Sequence, residues 1–138
     1  MNREDLQALS KVRRREAAVL LKAKHYAGAY YLLGYSVECA LKACIAKQTK
    51  KHDFPDKDMA TRAFVHNLEQ LMKLAGLGPA LDTDVAANKT LELNWAVVKD
   101  WSEQVRYTSS VSPAEAKDLY SACTSRKNGL LSWIRAKW

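Results

Sequence analysis

Residues 25–48, HYAGAYYLLGYSVECALKACIAKQ, are the stretch of this chain that decides its fold. Apolar and aromatic residues recur in it at alternating steps of four and three, which is the period of a helix packed along a long seam. These residues are Tyr26, Tyr30, Leu33, Val37, Ala40 and Cys44. Only Ser36, Glu38 and Lys42 interrupt the apolar character with polar groups. The stretch therefore predicts a central, nearly surrounded helix whose polar trio leaves one face for something other than packing.

The rest of the chain predicts an all-α domain. With 138 residues, 48% of them hydrophobic, and only five Gly and three Pro, the chain suits one ordered domain with its own core. No run of β-branched residues bounded by turn signals indicates a strand. Apolar spacing predicts further helices over residues 3 to about 22–25, about 62–75 with Gly76 as the cap, 80–87, about 91–107, and from Ser112-Pro113 to the end. We expect an up-and-down helical bundle of four long helices plus one short helix, with 49–61 as the longest loop.

The charge and the cysteine content indicate which partners and which cellular compartment to expect. Lys and Arg number 22 against 15 acidic residues, a net charge of +7. One interpretation is an anionic partner such as RNA or a nucleotide, and the other is that the excess only keeps the protein soluble. Three scattered cysteines indicate core residues in a reducing cytoplasm. The longest apolar stretch, 29–37, is far shorter than the ~20 residues that span a bilayer, so we expect a soluble cytoplasmic protein without a membrane partner.

Three segments together resemble a known family. They are AYYLLGYSVECALKACIAK (29–47), FVHNLEQLMKLAGL (64–77) and the W-x4-RY of 101–107, followed by a final amphipathic helix. Over roughly residues 3–135 the chain resembles the HEPN domains of prokaryotic toxin–antitoxin and antiphage proteins. The resemblance implies a helical bundle that is commonly a homodimer and needs no cofactor. Many HEPN members are metal-independent ribonucleases with an Arg-x4-6-His motif, members without it bind RNA or nucleotides, and some act beside a nucleotidyltransferase antitoxin partner.

The ribonuclease motif of that family is not intact here. Arg106-Tyr107 matches the position of the family's arginine, but no histidine follows it. The nearest match elsewhere is Arg62-x3-His66, which is one residue short. The leading prediction is therefore a non-catalytic module that binds RNA or a nucleotide. One alternative is a diverged ribonuclease toxin that pairs His66 with Arg62 or Arg106. The other is a structural partner of a nucleotidyltransferase, with no ligand.

Two groups of residues are the candidate ligand-binding positions. Arg106 and Tyr107, with the hydroxyls of 108–110, form a candidate phosphate pocket, although an arginine there also suits a helix C-terminus. The second group shares one face of the central helix and contains a Glu–Lys pair at the i,i+4 spacing of an ion pair; its members are Tyr31, Tyr35, Glu38 and Lys42. The competing interpretation of that pair is a semi-exposed ion pair at the rim of the core.

Histidines supply the candidates for acid–base and metal chemistry. His66 is a candidate general acid or base with Arg62 one helical turn earlier to hold phosphate, or else a packed histidine that bonds a neighbour. His52, Asp53, Asp56 and Asp58 crowd one loop, which we interpret as a flexible acidic loop rather than a metal site. We accordingly predict no metal and no cofactor.

Overall fold

The computed structural model describes residues 1–48 and 57–138, and the described residues form helices and connecting turns without a strand. The helices are α1 (Arg3–Lys22), α2 (Tyr26–Lys47), α3 (Lys57–Arg62), α4 (Leu68–Leu74), α5 (Gly78–Ala87), α6 (Lys89–Lys99), a 3₁₀ helix (Glu103–Tyr107), α7 (Pro113–Thr124) and α8 (Leu130–Arg135). The predicted all-α class is confirmed. Most of the predicted 49–61 loop, with His52, Asp53 and Asp56, lies outside the described residues. Its last part is wrong, because α3 begins at Lys57.

Helices α1 and α2 form the expected antiparallel hairpin. A capping box starts α1, in which Asn2 Oδ1 accepts from the Asp5 amide at 2.8 Å and Asp5 Oδ2 accepts from the Asn2 amide at 3.0 Å. Halfway along, the hydroxyls of Ser10 and Ser36 each donate to the other residue's carbonyl oxygen, at 2.8 and 2.7 Å. Both serines are buried, so these reciprocal bonds hold the two backbones together at a polar point in an apolar seam.

The turn between α1 and α2 is a Schellman motif without glycine. Lys24 adopts a positive φ of 65°. Its amide donates to Leu21 O at 3.0 Å, and the amide of His25 donates to Leu20 O at 2.8 Å. The prediction that the first helix ends between residues 22 and 25 is confirmed, and a lysine in the left-handed position explains why no glycine marks the break.

Helix α2 is the central helix, as predicted. It packs against α1, α4, α7, α8 and the 3₁₀ helix, and 12 of its 22 residues are buried. Trp101 is 97% buried against it, and its indole N–H donates to Tyr30 O at 3.2 Å. Gly34 permits this contact, because a Cβ at that position would lie 2.0 Å from the Trp101 ring. A glycine within a helix is here explained by the close approach of an indole.

Three of the predicted helices are interrupted, so the count of four long helices plus one short helix is not confirmed. The third does not continue from Arg62, because the Asn67 side chain accepts from the Gln70 amide at 2.9 Å and starts α4 at Leu68. The fourth ends at Lys99, and Ser102 caps the separate 3₁₀ helix. The last ends at Thr124, before a turn in which a Cβ at Gly129 would lie 2.4 Å from Ser125 O. The described α-helices other than α1 and α2 have 6–12 residues, and the 3₁₀ helix has five.

The predicted caps are more accurate than the predicted lengths. Gly76 ends α4 with φ 73°, and the Leu77 amide donates to Met72 O at 3.1 Å in a second Schellman motif. Ser112 caps α7 by accepting from the Glu115 amide at 3.1 Å, with Pro113 in the first turn. The short helix predicted over 80–87 is present as α5, two residues longer at its start. The caps that the sequence predicts are therefore present in the structure, whereas several of the predicted helix lengths are not.

The cysteines lie in the core, as the sequence predicts. Cys39, Cys44 and Cys123 are free thiols and are buried. Burial, with Glu38 adding negative charge, raises the pKa of Cys39 to about 11, and burial raises that of Cys123 to about 12. Within residues 1–48 and 57–138, no helix combines the length and the apolarity that crossing a membrane would need.

Candidate functional site

A buried carboxylate on α2 is the centre of the candidate site. Glu38 is 98% buried, and its Oε1 accepts from Lys42 Nζ at 2.8 Å and lies 2.9 Å from His66 Nδ1. Because a carboxylate only accepts, His66 carries the Nδ1 proton in this contact. Glu38 Oε2 is also buried and has no hydrogen-bond partner among the described residues. Burying a carboxylate with one oxygen unsatisfied is costly, which is typical of functional sites rather than of ordinary core packing.

The polar trio predicted on one face of α2 divides between two neighbours. Glu38 and Lys42 face His66, whereas Ser36 bonds to Ser10 of α1. Residues 36 and 38 are two positions apart on a helix of 3.6 residues per turn, so they point to nearly opposite sides. The prediction of a single polar face is therefore wrong, and Ser36 holds the hairpin together.

His66 reaches Glu38 from an extended segment between α3 and α4. It immediately precedes Asn67, the N-cap of α4, and its side chain is 42% exposed. Arg62 is the last residue of α3, and the Phe64 amide donates to Thr61 O in the turn that follows. The predicted placement of Arg62 and His66 on successive turns of one helix is therefore wrong.

Arg62 lines a cleft separate from the one that His66 enters. Arg62 contributes to a cleft of about 610 Å³ with Val65, Gln70, Lys73 and Leu74. The cleft that His66 lines has a volume of about 410 Å³, and its other lining residues are Val65, Asn67, Trp101, Ser102 and Glu103. Among the described residues, Val65 lines both clefts, and no polar side chain does. Arg62 and His66 therefore do not face one cleft in which they could act together on one bond of a ligand.

Stacked aromatic rings continue the site along α2. The rings of Tyr31 and Tyr35 are parallel within 3°, with centroids 6.2 Å apart, and Trp101 stacks on Tyr31 at the same distance. From α1, the Arg13 guanidinium lies 5.8 Å from the Tyr35 ring centroid. Burial, aided by the nearby Cys39 and Glu38, raises the pKa of Tyr35, while Arg13 opposes that shift. This row connects the carboxylate centre to the 3₁₀ helix.

Arg106 lies at the other end of that row. It occupies the last turn of the 3₁₀ helix, is exposed, and has its guanidinium 4.9 Å from the Tyr107 ring centroid. Hydrogen bonding to Tyr31 and then to Tyr107 raises the pKa of Arg106. Tyr107 is 73% exposed. An exposed cation and an exposed aromatic ring therefore lie side by side on the 3₁₀ helix, near Tyr31 of the central helix.

Glu103 links Arg106 to His66, a proximity that spacing alone does not show. A hydrogen bond with its own backbone lowers the pKa of Glu103, and the Gln104 side chain, His66 and Arg106 lower it further. His66 and Arg106 are therefore both close enough to Glu103 to lower its pKa. Glu103 and Trp101 are site residues that the sequence patterns missed, because Trp101 falls in an apolar stripe and Glu103 beside it resembles a solvated helix residue.

The hydroxyl groups after Tyr107 do not all turn towards Arg106. Thr108 Oγ1 accepts from the Ser110 amide at 3.1 Å and so closes its own turn. Ser109 lines a separate shallow cleft with residues of the α1–α2 turn, Lys24, His25 and Tyr26 among them. Arg106 and Tyr107 thus remain a candidate pair, while the three hydroxyls do not form one phosphate cradle with them.

Neither a metal cluster among the described residues nor a match to a known protein accompanies this geometry. Across the described ranges, 1–48 and 57–138, no three His, Cys, Asp or Glu side chains cluster closely enough to hold a metal ion. Comparisons with protein-family models, curated proteins and solved structures find no match.

Proposed function

We propose that this protein is a HEPN-like helical-bundle module that binds the phosphate groups of RNA or of a nucleotide without cutting them. The binding face consists of Arg106, Tyr107 and the His66 cleft beside Glu103. The observation that carries the proposal is an exposed arginine whose guanidinium lies 4.9 Å from the ring centroid of an exposed tyrosine, on the 3₁₀ helix that also supplies Glu103 to the His66 cleft. The net charge of +7 favours the approach of a polyanion to this face.

The chemistry of this face suits a nucleotide. An arginine guanidinium supplies several donors to phosphate oxygens, and a tyrosine ring offers a platform on which a base stacks. The contact of the Arg106 guanidinium with the Tyr107 ring restrains this side chain, which lowers the entropy lost when it binds. Glu103 adds a negative charge between Arg106 and His66, so the face favours a single phosphate held by Arg106 over a continuous phosphate track.

Ligand-dependent stabilisation tests this function. A ligand that binds only the folded state at 100 times its Kd raises the free energy of unfolding by about 2.7 kcal/mol. We expect the melting temperature to rise with a short oligoribonucleotide or with a nucleotide from a panel of mono-, di- and triphosphates. The rise should shrink in Arg106→Gln. A melting temperature that stays flat across the whole panel would count against binding.

A second function, a diverged ribonuclease, is favoured by one specific contact. Glu38 holds His66 through Nδ1, and this leaves Nε2 as the nitrogen that can exchange a proton. Such a carboxylate–imidazole pair orients a general base, and Arg106 acts on the same Glu103 as His66 does. The pairing of His66 with Arg106, rather than with Arg62, is the version of the ribonuclease hypothesis that this geometry favours.

Incubation of total cellular RNA with the purified protein and EDTA separates the two functions. Wild type would be compared with His66→Ala and Arg106→Ala. We expect intact RNA in every lane. Cleavage that both substitutions abolish would make the protein a ribonuclease and overturn the non-catalytic proposal.

A further inference from the structure

A second cluster of cations lies on the other side of α1, away from the Glu38 face. Lys11, Arg14 and Arg15 of α1 and Arg135 of α8 surround a pocket of about 200 Å³, whose remaining lining residues are Ser10 and Leu131. None of these six residues is acidic. Four positive side chains therefore converge on one small volume, where their mutual repulsion would ordinarily be relieved by a carboxylate.

Within the part of the chain that the structure describes, these cations have no counter-charge. Among residues 1–48 and 57–138, Arg14, Arg15 and Arg135 form neither an ion pair nor a hydrogen bond, and the Nε of Arg14 is fully buried without a partner. Burial and then the charge of Arg14 lower the pKa of Arg135, so the two guanidinium groups are close. By contrast, Arg13 on the same helix is paired with Glu16 at 2.7 Å.

The backbone around the pocket is held in place by neighbouring contacts. Ser10 lies at the base of the pocket, and its hydroxyl is engaged with Ser36. Leu131 supplies a fully buried apolar wall. Lys11 Nζ lies 5.7 Å from the ring centroid of Trp138, which restrains the lysine. Lys11 and Arg15 are exposed, whereas Arg14 and Arg135 are half-buried, so the pocket is a positively charged depression that is open to solvent.

We infer that this pocket binds a phosphate group, either free phosphate or the terminal phosphomonoester of a nucleotide or RNA. Its volume is below that of typical sites for drug-sized ligands, which start at about 300 Å³, and therefore suits the anion alone rather than a whole nucleotide. Guanidinium groups match the oxygen geometry of phosphate through paired hydrogen bonds. This inference is independent of the function proposed for the Arg106 face, because the two sites share no lining residue.

Calorimetric titration of the full chain with sodium phosphate tests the inference, with chloride at equal ionic strength as the reference. We expect saturable binding by wild type and at least a tenfold weaker Kd for Arg135→Gln and for Arg14→Gln. The matched control is Arg126→Gln, an exposed arginine in the α7–α8 turn, which should bind phosphate as wild type does. Arg135→Lys keeps the charge and should lose less affinity than Arg135→Gln.

Two outcomes would overturn this assignment. One is heat no greater than the chloride reference, and the other is equal affinity in wild type, Arg14→Gln and Arg135→Gln. Circular dichroism confirms that each variant is folded, and the exposed Arg15→Gln replaces any that is not. A 5′-phosphorylated oligoribonucleotide, compared with its 5′-hydroxyl twin, distinguishes the sources. Preferential binding of the phosphorylated strand that Arg135→Gln abolishes assigns a terminal phosphate, and binding of free phosphate alone assigns the free anion.

Discussion

Glu38 carries its charge into the core, and its neighbours Lys42 and His66 determine what the loss of that charge would cost. Glu38→Gln keeps the shape but leaves Lys42, which is 21% exposed, without its counter-charge. We expect the free energy of unfolding to fall by about 1–3 kcal/mol in urea denaturation, because one partner of a largely buried pair is removed. Glu69→Gln is the matched control, since Glu69 pairs with Lys73 at the same i,i+4 spacing but on the surface. It should change stability by no more than about 0.5 kcal/mol. Equal effects of the two substitutions would contradict a buried, coupled Glu38.

Gly34 is the position where a single methyl group would disturb the site most. Its added Cβ would lie 2.0 Å from the Trp101 ring, so Gly34→Ala must displace the indole that stacks on Tyr31. We expect a loss of about 1–3 kcal/mol or more on thermal unfolding, and a change in tryptophan fluorescence. Gly78→Ala at the start of α5 meets nothing within 4 Å and should be neutral or slightly stabilising. A Gly34→Ala protein as stable as wild type would show that Trp101 does not pack as described.

Part of the candidate site can be predicted from the sequence. The Glu38–Lys42 pair and the Tyr31–Tyr35 stack follow from helical spacing, since both lie one turn apart on α2. The contact of His66 with Glu38 spans 28 residues in sequence and depends on how the chain enters α4. No local pattern encodes that contact, which is why Arg62 and Arg106 were the predicted partners of His66 and Glu38 was not.

At the scale of elements, the turn between α1 and α2 carries avoidable strain. Lys24 occupies the left-handed region that costs an L residue roughly 1–2 kcal/mol and a glycine almost nothing. We expect Lys24→Gly to relieve this strain and to raise the free energy of unfolding by up to about 1 kcal/mol, since the larger entropy that glycine loses on folding offsets part of the gain. Gly76 occupies the equivalent position after α4 and also has a positive φ. Gly76→Ala is the opposite substitution at that position, and it should lower the free energy of unfolding by a similar amount. A destabilised Lys24→Gly protein would contradict the Schellman geometry of this turn.

Helix identity was predictable here, and helix continuity was not. The seam of α2 and the caps at Asn2, Gly76 and Ser112 are local signals, and each appears as predicted. The breaks at Lys99 and Thr124 fall within apolar stripes that continue on both sides. Tertiary packing decides these breaks, as when Trp101 leaves the line of α6 to pack against Gly34. A helical period carries no information about such a departure.

At the scale of the whole molecule, the buried thiols predict a loss of stability at alkaline pH. The pKa values of Cys39 and Cys123 are about 11 and about 12, above the value of 9.0 for an exposed thiol. The unfolded chain therefore releases protons first, so stability is fully present below pH 9 and falls as pH rises towards 11. The slope approaches about 1.4 kcal/mol per pH unit for each thiol. Urea denaturation from pH 8 to 11 should show this fall.

The double variant Cys39→Ala/Cys123→Ala is the control for the thiol prediction. Its baseline stability is lower because alanine fills less volume, but its stability should depend less steeply on pH in the same range. Tyr30 and Tyr35, whose pKa values are also raised by burial, supply the remaining slope at higher pH. An identical slope in the two proteins would mean that the thiols are not buried as described.

The measurement that tests the central proposal most directly is fluorescence anisotropy of a 3′-labelled oligoribonucleotide in EDTA over a range of salt concentrations. We expect wild type to bind, Arg106→Gln to bind at least about tenfold more weakly with a salt slope reduced by about one, and the surface control Arg126→Gln to match wild type. Wild type that does not bind, or Arg106→Gln that binds as tightly as wild type, would contradict the proposal that Arg106 and Tyr107 form a phosphate-binding face on the 3₁₀ helix.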